Sequence, residues 1–260
     1  MFILCAFVYC SVRMQWRGRL VAITTQSLKR IIDDHLFTNA FQPIYYLPGQ
    51  SIVGYESLLR CPFVKSPDLL FHDAHENGYL YELDMASITN SIKCFAAYIK
   101  AANTHDLFLS LNVYPSTVAA PMFLETLEQL VQAASLAHQQ IILEINESER
   151  IQNLDEMLQN VYLLKKKGFV VALDDLGKGE YSLQALIEIE PQVIKLDRYF
   201  AKDLAKSHKK QRAILSTMQF FNEGTKMILE GIETKEDMQC AQSLGIYFGQ
   251  GYYLAKPQEL

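Results

Sequence analysis

The feature that most constrains this chain is an alternation of two hydrophobic periods that starts near residue 24 and runs to the end. Leu28, Ile31, Ile32 and Leu36 recur at helical spacing, and then Phe41 to Leu47 and Ser51 to Leu59 read as extended runs separated by a Pro48-Gly49 turn, a hairpin-like entry. Further helical stretches follow, marked by Ile88, Ile92, Phe95 and Ile99, by Leu124, Leu127 and Val131, and by Leu154, Met157, Leu158 and Val161. Between them lie the β-rich runs LFLSLN (107–112), IILEI (141–145), FVVALDD (169–175), QVIKLD (192–197), MILEG (227–231) and IYFGQGYYL (246–254). Strand and helix taking turns imply parallel strands joined by helical crossovers, hence an α/β protein. A doubly wound open sheet is the alternative, but no G-x-G-x-x-G or G-x-x-x-x-G-K-[ST] opens a helix here.

The polar residues decide for a barrel. Nearly every β-run ends on a carboxylate, amide or amine: Glu56, Asn112, Glu144, Asp174 with Asp175, Lys195, Glu230 and Gln250. Groups contributed by many strand ends in turn are how a (β/α)8 barrel builds a site at one mouth. Helix stops agree: Gly168 follows Lys165, Lys166 and Lys167, and Thr234 with Asp237 forms an approximate capping box.

Taken alone, the strand-end set is rich in oxygen and free of His and Cys, which suits Mg²⁺ or Mn²⁺ and speaks against zinc. Adjacent Asp174 and Asp175 should point to different sides of the strand end and serve two ions. The alternative role of any one acid is to cap the following helix. Glu56 and Glu144 sit in strongly apolar runs, where an unpaired buried carboxylate is costly and needs a cation. Lys195, enclosed by Val193, Ile194 and Leu196, is either a salt-bridge partner of a neighbouring acid or a charge aimed at the mouth.

Composition narrows the class. Half of the 260 residues are hydrophobic and a fifth are charged, so a large core is expected. A formal charge of −5 argues against DNA or RNA as a partner. Five scattered cysteines without a CxxC pair fit a reducing, cytoplasmic compartment and read as packing residues. Residues 1–22 form a short apolar and basic extension before a barrel over 23–260. Its apolar run (1–12) falls short of a spanning helix, but with Trp16, Arg13, Arg17 and Arg19 it has the pattern of a surface anchor through residues 1–20. The other reading of this segment is an overextended start, with Met14 as the initiator.

Eight pieces in order, FQPI (41–44), YESLLR (55–60), LNV (111–113), EINE (144–147), ALDDLGKG (172–179), IKLDRYF (194–200), EGIET (230–234) and QGYYLAKP (250–257), resemble the EAL domain, the cyclic di-GMP phosphodiesterase family. The resemblance implies a TIM-barrel-like (β/α)8 fold whose first strand runs antiparallel. It also implies hydrolysis of cyclic di-GMP to linear pGpG with two Mg²⁺ or Mn²⁺ ions, Ca²⁺ inhibiting, and a homodimer as the expected assembly. By the same resemblance Glu56, Asn112, Glu144 and Asp174 hold one metal, and Asp174 and Asp175 share in the second with Glu230 nearby. Lys195 faces the attacking water, as general base or as electrostatic partner. Gln250 supports the ligands or touches substrate, Arg60 meets a substrate phosphate, and Glu147 tethers the loop after Asp175.

The departures from the family pattern are local. Ser57 replaces the signature alanine, with little effect expected, and the loop reads DDLGKG, with Leu176 and Lys178 where the family connects dimer contacts to metal binding. His72 and His75, in a segment that follows the family loosely, read as helix-surface or packing residues. The alternative function is a non-catalytic cyclic di-GMP receptor acting through a partner protein. With no sensory segment read before the barrel, control is expected from expression, dimerisation, a partner or the N-terminus.

Overall fold

The computed structural model describes residues 24–146, 149, 153–176, 183–221 and 224–260. The N-terminal extension, Glu147 and the loop containing Lys178 lie outside the described residues. Thr24 caps helix α1 (Thr25–Asp33) through the Ser27 amide, and Leu28, Ile31 and Ile32 bury its inner face. Strands β1 (Thr38–Tyr46) and β2 (Ser51–Arg60) form the expected antiparallel hairpin, with Gln42 opposite Glu56. After α2 (Pro67–Glu76) and the long α3 (Leu80–Ala102), the chain alternates strand and helix. It passes through β3 (Phe108–Val113), α4 (Pro115–Ala119), α5 (Phe123–Ala133), β4 (Ile141–Ile145), α6 (Leu154–Lys167) and β5 (Val170–Leu176). Then come α7 (Leu183–Ile189), β6 (Val193–Leu196), α8 (Arg198–Ala201), α9 (His208–Phe220), β7 (Lys226–Leu229), α10 (Lys235–Ser243) and β8 (Phe248–Gly249).

The strands close a barrel in the order β1 to β8. β2 to β8 run parallel, while β1 pairs antiparallel with both β2 and β8, as the family resemblance implies. Outward-facing strand residues such as Leu109, Leu111, Leu143, Ile145, Val171 and Leu173 pack with Ile88, Ile92, Phe95, Val131 and Val161 of the helices. Gly168 ends α6 in the left-handed conformation, at φ 95°, behind its three lysines. Among the described residues no helix is long and apolar enough to cross a membrane.

The inside of the barrel is built in rungs. Ile44, Ile142, Ala172, Val193 and Ile228, joined by Phe108 and Phe248, make a buried apolar floor. Strand side chains alternate, so the next inward positions lie two residues along each strand. Those positions are Gln42, Ser110, Glu144, Asp174, Lys195, Glu230 and Gln250. Glu56 stands two beyond Gly54, where a Cβ would come within 2.4 Å of the Phe108 ring that covers it. The polar layer is therefore the rung directly above the hydrocarbon floor.

Candidate active site

Lys195 is the centre of that layer. Its side chain is wholly buried, and Nζ lies 3.0 Å from Glu56 Oε1, 2.9 Å from Glu144 Oε2, 3.1 Å from Asp174 Oδ1 and 2.6 Å from Glu230 Oε1. Four carboxylates from four strand ends thus converge on one ammonium. Of the two roles open to Lys195 in the sequence, ion pairing is realised, and with all four acids at once. Neutral donors complete the set: Ser110 Oγ donates to Glu144 Oε1, Asn112 Nδ2 to Glu56 Oε1 at 3.2 Å, and Gln250 Nε2 to Glu56 Oε2 and to Glu230 Oε1.

Burial pushes each of these acids toward its neutral form, and the neighbours decide the outcome. Glu144, fully buried, is held well above the usual carboxylate range by desolvation with Glu56 and Asp174 beside it, despite Lys195. Asp174 is likewise raised, and Glu230 is pushed up to about 8. Glu56 goes the other way: against its own desolvation, the Lys195 charge and donors from Gln250, Lys195 and Asn112 bring it below the ordinary value. Lys195 is raised well above its ordinary value, since the four acids outweigh its desolvation. The layer thus gathers four acidic groups around one lysine, and three of the four are drawn toward the neutral form.

The two aspartates do not diverge as the alternation of a regular strand would require. Between Leu173 and Leu176 strand β5 advances three residues while β6 advances only from Ile194 to Leu196, a β-bulge. Asp175 within it takes a left-handed backbone, at φ 54°, which aspartate tolerates better than most residues. The bulge brings both aspartates to one place: single carboxylate oxygens of Asp174, Asp175 and Glu230 lie within 4.8 Å of one another. The expectation of opposite sides is therefore corrected, and the reason is the extra residue.

Glu230 and Gln250 are set side by side by a backbone zipper. Gln250 N–H donates to Leu229 O and Ile232 N–H to Gln250 O, both at 3.0 Å. This approach requires Gly251, because a Cβ there would lie 2.2 Å from Ile232 N and O. The same approach cuts β8 short, so the expected run 246–254 forms a strand only at Phe248–Gly249. Gln250 Oε1 is buried with no hydrogen-bond partner among the described residues.

Above the layer opens a cleft of about 590 Å³, lined by Glu56, Asn112, Asp174, Asp175, Glu230 and Gln250. Its rim carries Arg60, Phe71, Tyr114, Arg198 and Tyr252. Arg60 donates to Leu59 O at 2.9 Å, and the Phe71 and Tyr114 rings stand 5.2 Å apart. Eight strand-end residues named from the sequence, Glu56, Asn112, Glu144, Asp174, Asp175, Lys195, Glu230 and Gln250, thus meet at one mouth, Asp175 being brought there by the bulge. His72 and His75 are exposed on α2, as expected of surface residues. The sequence reading missed Ser110, Gln42 and Asp84. Ser110 was legible in principle, since it stands two residues before Asn112 and so faces the same side of β3. Asp84 had no such signal: it is buried in α3, where its carboxylate accepts from the Tyr114 amide at 2.9 Å and so anchors the chain just after Asn112.

Comparison with known proteins agrees with this arrangement. The EAL domain model matches residues 25–257. The chain is 28% identical over 246 residues to the cyclic di-GMP phosphodiesterase PdeF of Escherichia coli (strain K12), covering 92% of this chain and 32% of PdeF. It therefore spans about a third of that relative's length. Among solved structures, the EAL enzyme Bd1971 in its cAMP- and cyclic-di-GMP-bound form superposes with a TM-score of 0.81 at 24% identity, over 90% of this chain and 65% of that one. The manganese/cy-diGMP complex of Klebsiella pneumoniae BlrP1 gives 0.74 at 26% identity, over 86% and 56%.

Proposed function

Because the chain belongs to the EAL domain family, we propose that it hydrolyses one phosphodiester of cyclic di-GMP to linear pGpG, with Mg²⁺ or Mn²⁺ as cofactor. The observation that carries this reading is the layer itself. Glu56, Asn112, Glu144, Asp174, Asp175 and Glu230 offer oxygen donors only, in a buried site whose acids outnumber its one lysine. Such a donor set fits hard divalent cations, and the orphaned Gln250 Oε1 is one more oxygen without a partner. Glu56, Asn112, Glu144 and Asp174 would hold one ion, and Asp174, Asp175 and Glu230 the second. When bound, two such ions supply Lewis-acid activation of the water and of the scissile phosphate.

This chain's own residues do the rest. Lys195 spends its N–H groups on carboxylates and remains charged, so it serves as electrostatic partner of the attacking water and not as a base. Gln250 holds Glu56 and Glu230 in position through its amide. At the rim, Arg60 and Arg198 suit phosphate oxygens, and the faces of Phe71, Tyr114 and Tyr252 suit a flat base. Glu147 would tether the loop after Asp175. A homodimer is part of the same reading and is checked by light scattering.

Incubation with cyclic di-GMP and Mn²⁺ or Mg²⁺, followed by chromatography, tests the activity. Appearance of pGpG is expected; folded protein that yields none with either metal overturns it. Binding without turnover would instead favour the receptor function.

A further inference from the structure

The contacts of Lys195 go beyond what one ammonium needs. It has three N–H groups and four carboxylate oxygens within 3.1 Å, so at least one contact is held by charge alone. Asp174 Oδ1 is that contact, close to Nζ yet without an aligned hydrogen bond. The ammonium thus donates to Glu144 Oε2 at 2.9 Å and at the same time sits as the cation in a cage of four carboxylate oxygens. The oxygens it meets belong to Glu56, Glu144, Asp174 and Glu230, four of the six residues assigned above to metal binding.

We propose that Lys195 is a built-in counter-cation, which holds the carboxylate layer together in the metal-free protein and competes with the divalent cation for the same oxygens. The proposal rests on the metal-binding reading of the site. Removing the lysine charge would leave Glu144, Glu56, Asp174 and Glu230 packed against one another in a buried layer, with only Ser110, Asn112 and Gln250 as neutral donors. A divalent ion entering the layer would meet a second positive charge on oxygens it must take up, and the two repel. The lysine therefore exchanges metal affinity for a folded metal-free state. It also keeps strand ends from four different β-strands together while no ion is present.

Lys195→Met, which keeps the length of the side chain and removes its charge, separates these effects, with Lys195→Gln as a second neutral variant. In EDTA both variants should melt below wild type. Titrated with Mn²⁺ and followed by the electron paramagnetic resonance of the free ion, both should bind about tenfold tighter or more, the sign fixed by the removed charge repulsion. Mn²⁺ should also raise their melting temperatures more than it raises that of wild type. Variants that fold only when Mn²⁺ is present support the exchange of one cation for another. Mn²⁺ affinity unchanged or weakened in both variants overturns the proposal, as does failure to fold even in saturating Mn²⁺. Wild type that binds no Mn²⁺ overturns the metal reading and this proposal together, whereas wild type that binds and neutral variants that do not tighten overturn this proposal alone.

Discussion

Two rungs of one barrel, a single side-chain alternation apart, obey opposite physics. The lower rung, Ile44, Ile142, Ala172, Val193 and Ile228, is held by close packing and has no polar group to satisfy. The upper rung, Glu144, Asp174, Lys195 and Glu230 on the same strands with Glu56 of β2, is held by a charge balance that burial strains. Packing energy is indifferent to pH and to ions, while the charged rung responds to both. The floor keeps the strands in register so that the rung above can carry groups that would repel one another in a looser frame.

The largest break between the rungs should come from Asp174→Asn. Turnover of cyclic di-GMP should fall at least about 10²-fold, while melting in EDTA holds or rises, because a raised carboxyl has been made neutral. A variant that keeps its activity would remove Asp174 from the machinery. The converse change is Ile142→Ala, expected to cost roughly 2–5 kcal/mol of stability by urea unfolding. The turnover of each folded molecule should stay near wild type, and a selective loss of turnover would show that the floor does more than pack.

A pH series sharpens the contrast. Glu230 moves from its ordinary 4.5 to about 8, mainly by burial. Between those values the native state therefore holds a proton that the unfolded state has lost, and the stability of the metal-free protein should fall as pH rises across that window. Mn²⁺ should flatten the slope, and Ile142→Ala should lower the whole curve without changing its shape. A metal-free curve that rises from pH 5 to 8 would contradict the strained balance. The smallest effect is expected at Asp84, raised by burial from 3.8 to about 7 against the Tyr114 amide. Asp84→Asn keeps an acceptor for that amide and should remove only the part of the slope lying below about pH 7, read from the same melts.

Much of this was legible in the sequence because the barrel writes its interior with period two. Glu144 two beyond Ile142, Lys195 two beyond Val193 and Glu230 two beyond Ile228 give both the strands and the direction of the site. The closed barrel with an antiparallel first strand follows from the family resemblance and from the Pro48-Gly49 hairpin. What pattern could not supply was geometry set by tertiary contact. The short β8 reflects the approach of Gly251 to Ile232, and the burial of Asp84 reflects a bond to a residue 30 positions away. The meeting of Asp174 with Asp175 needs an irregularity that strict alternation forbids.

That irregularity gives the chain a parity. Substitutions around the mouth can tune charge by degrees, but the number of residues between Leu173 and Leu176 is all or nothing. Loss of one codon there would restore the regular zigzag by deleting one of the two aspartates, with the hydrophobic strand before it intact. A lineage could in this way abandon the chemistry in one step and keep a folded barrel for another use, and only an insertion at the same place would bring the chemistry back.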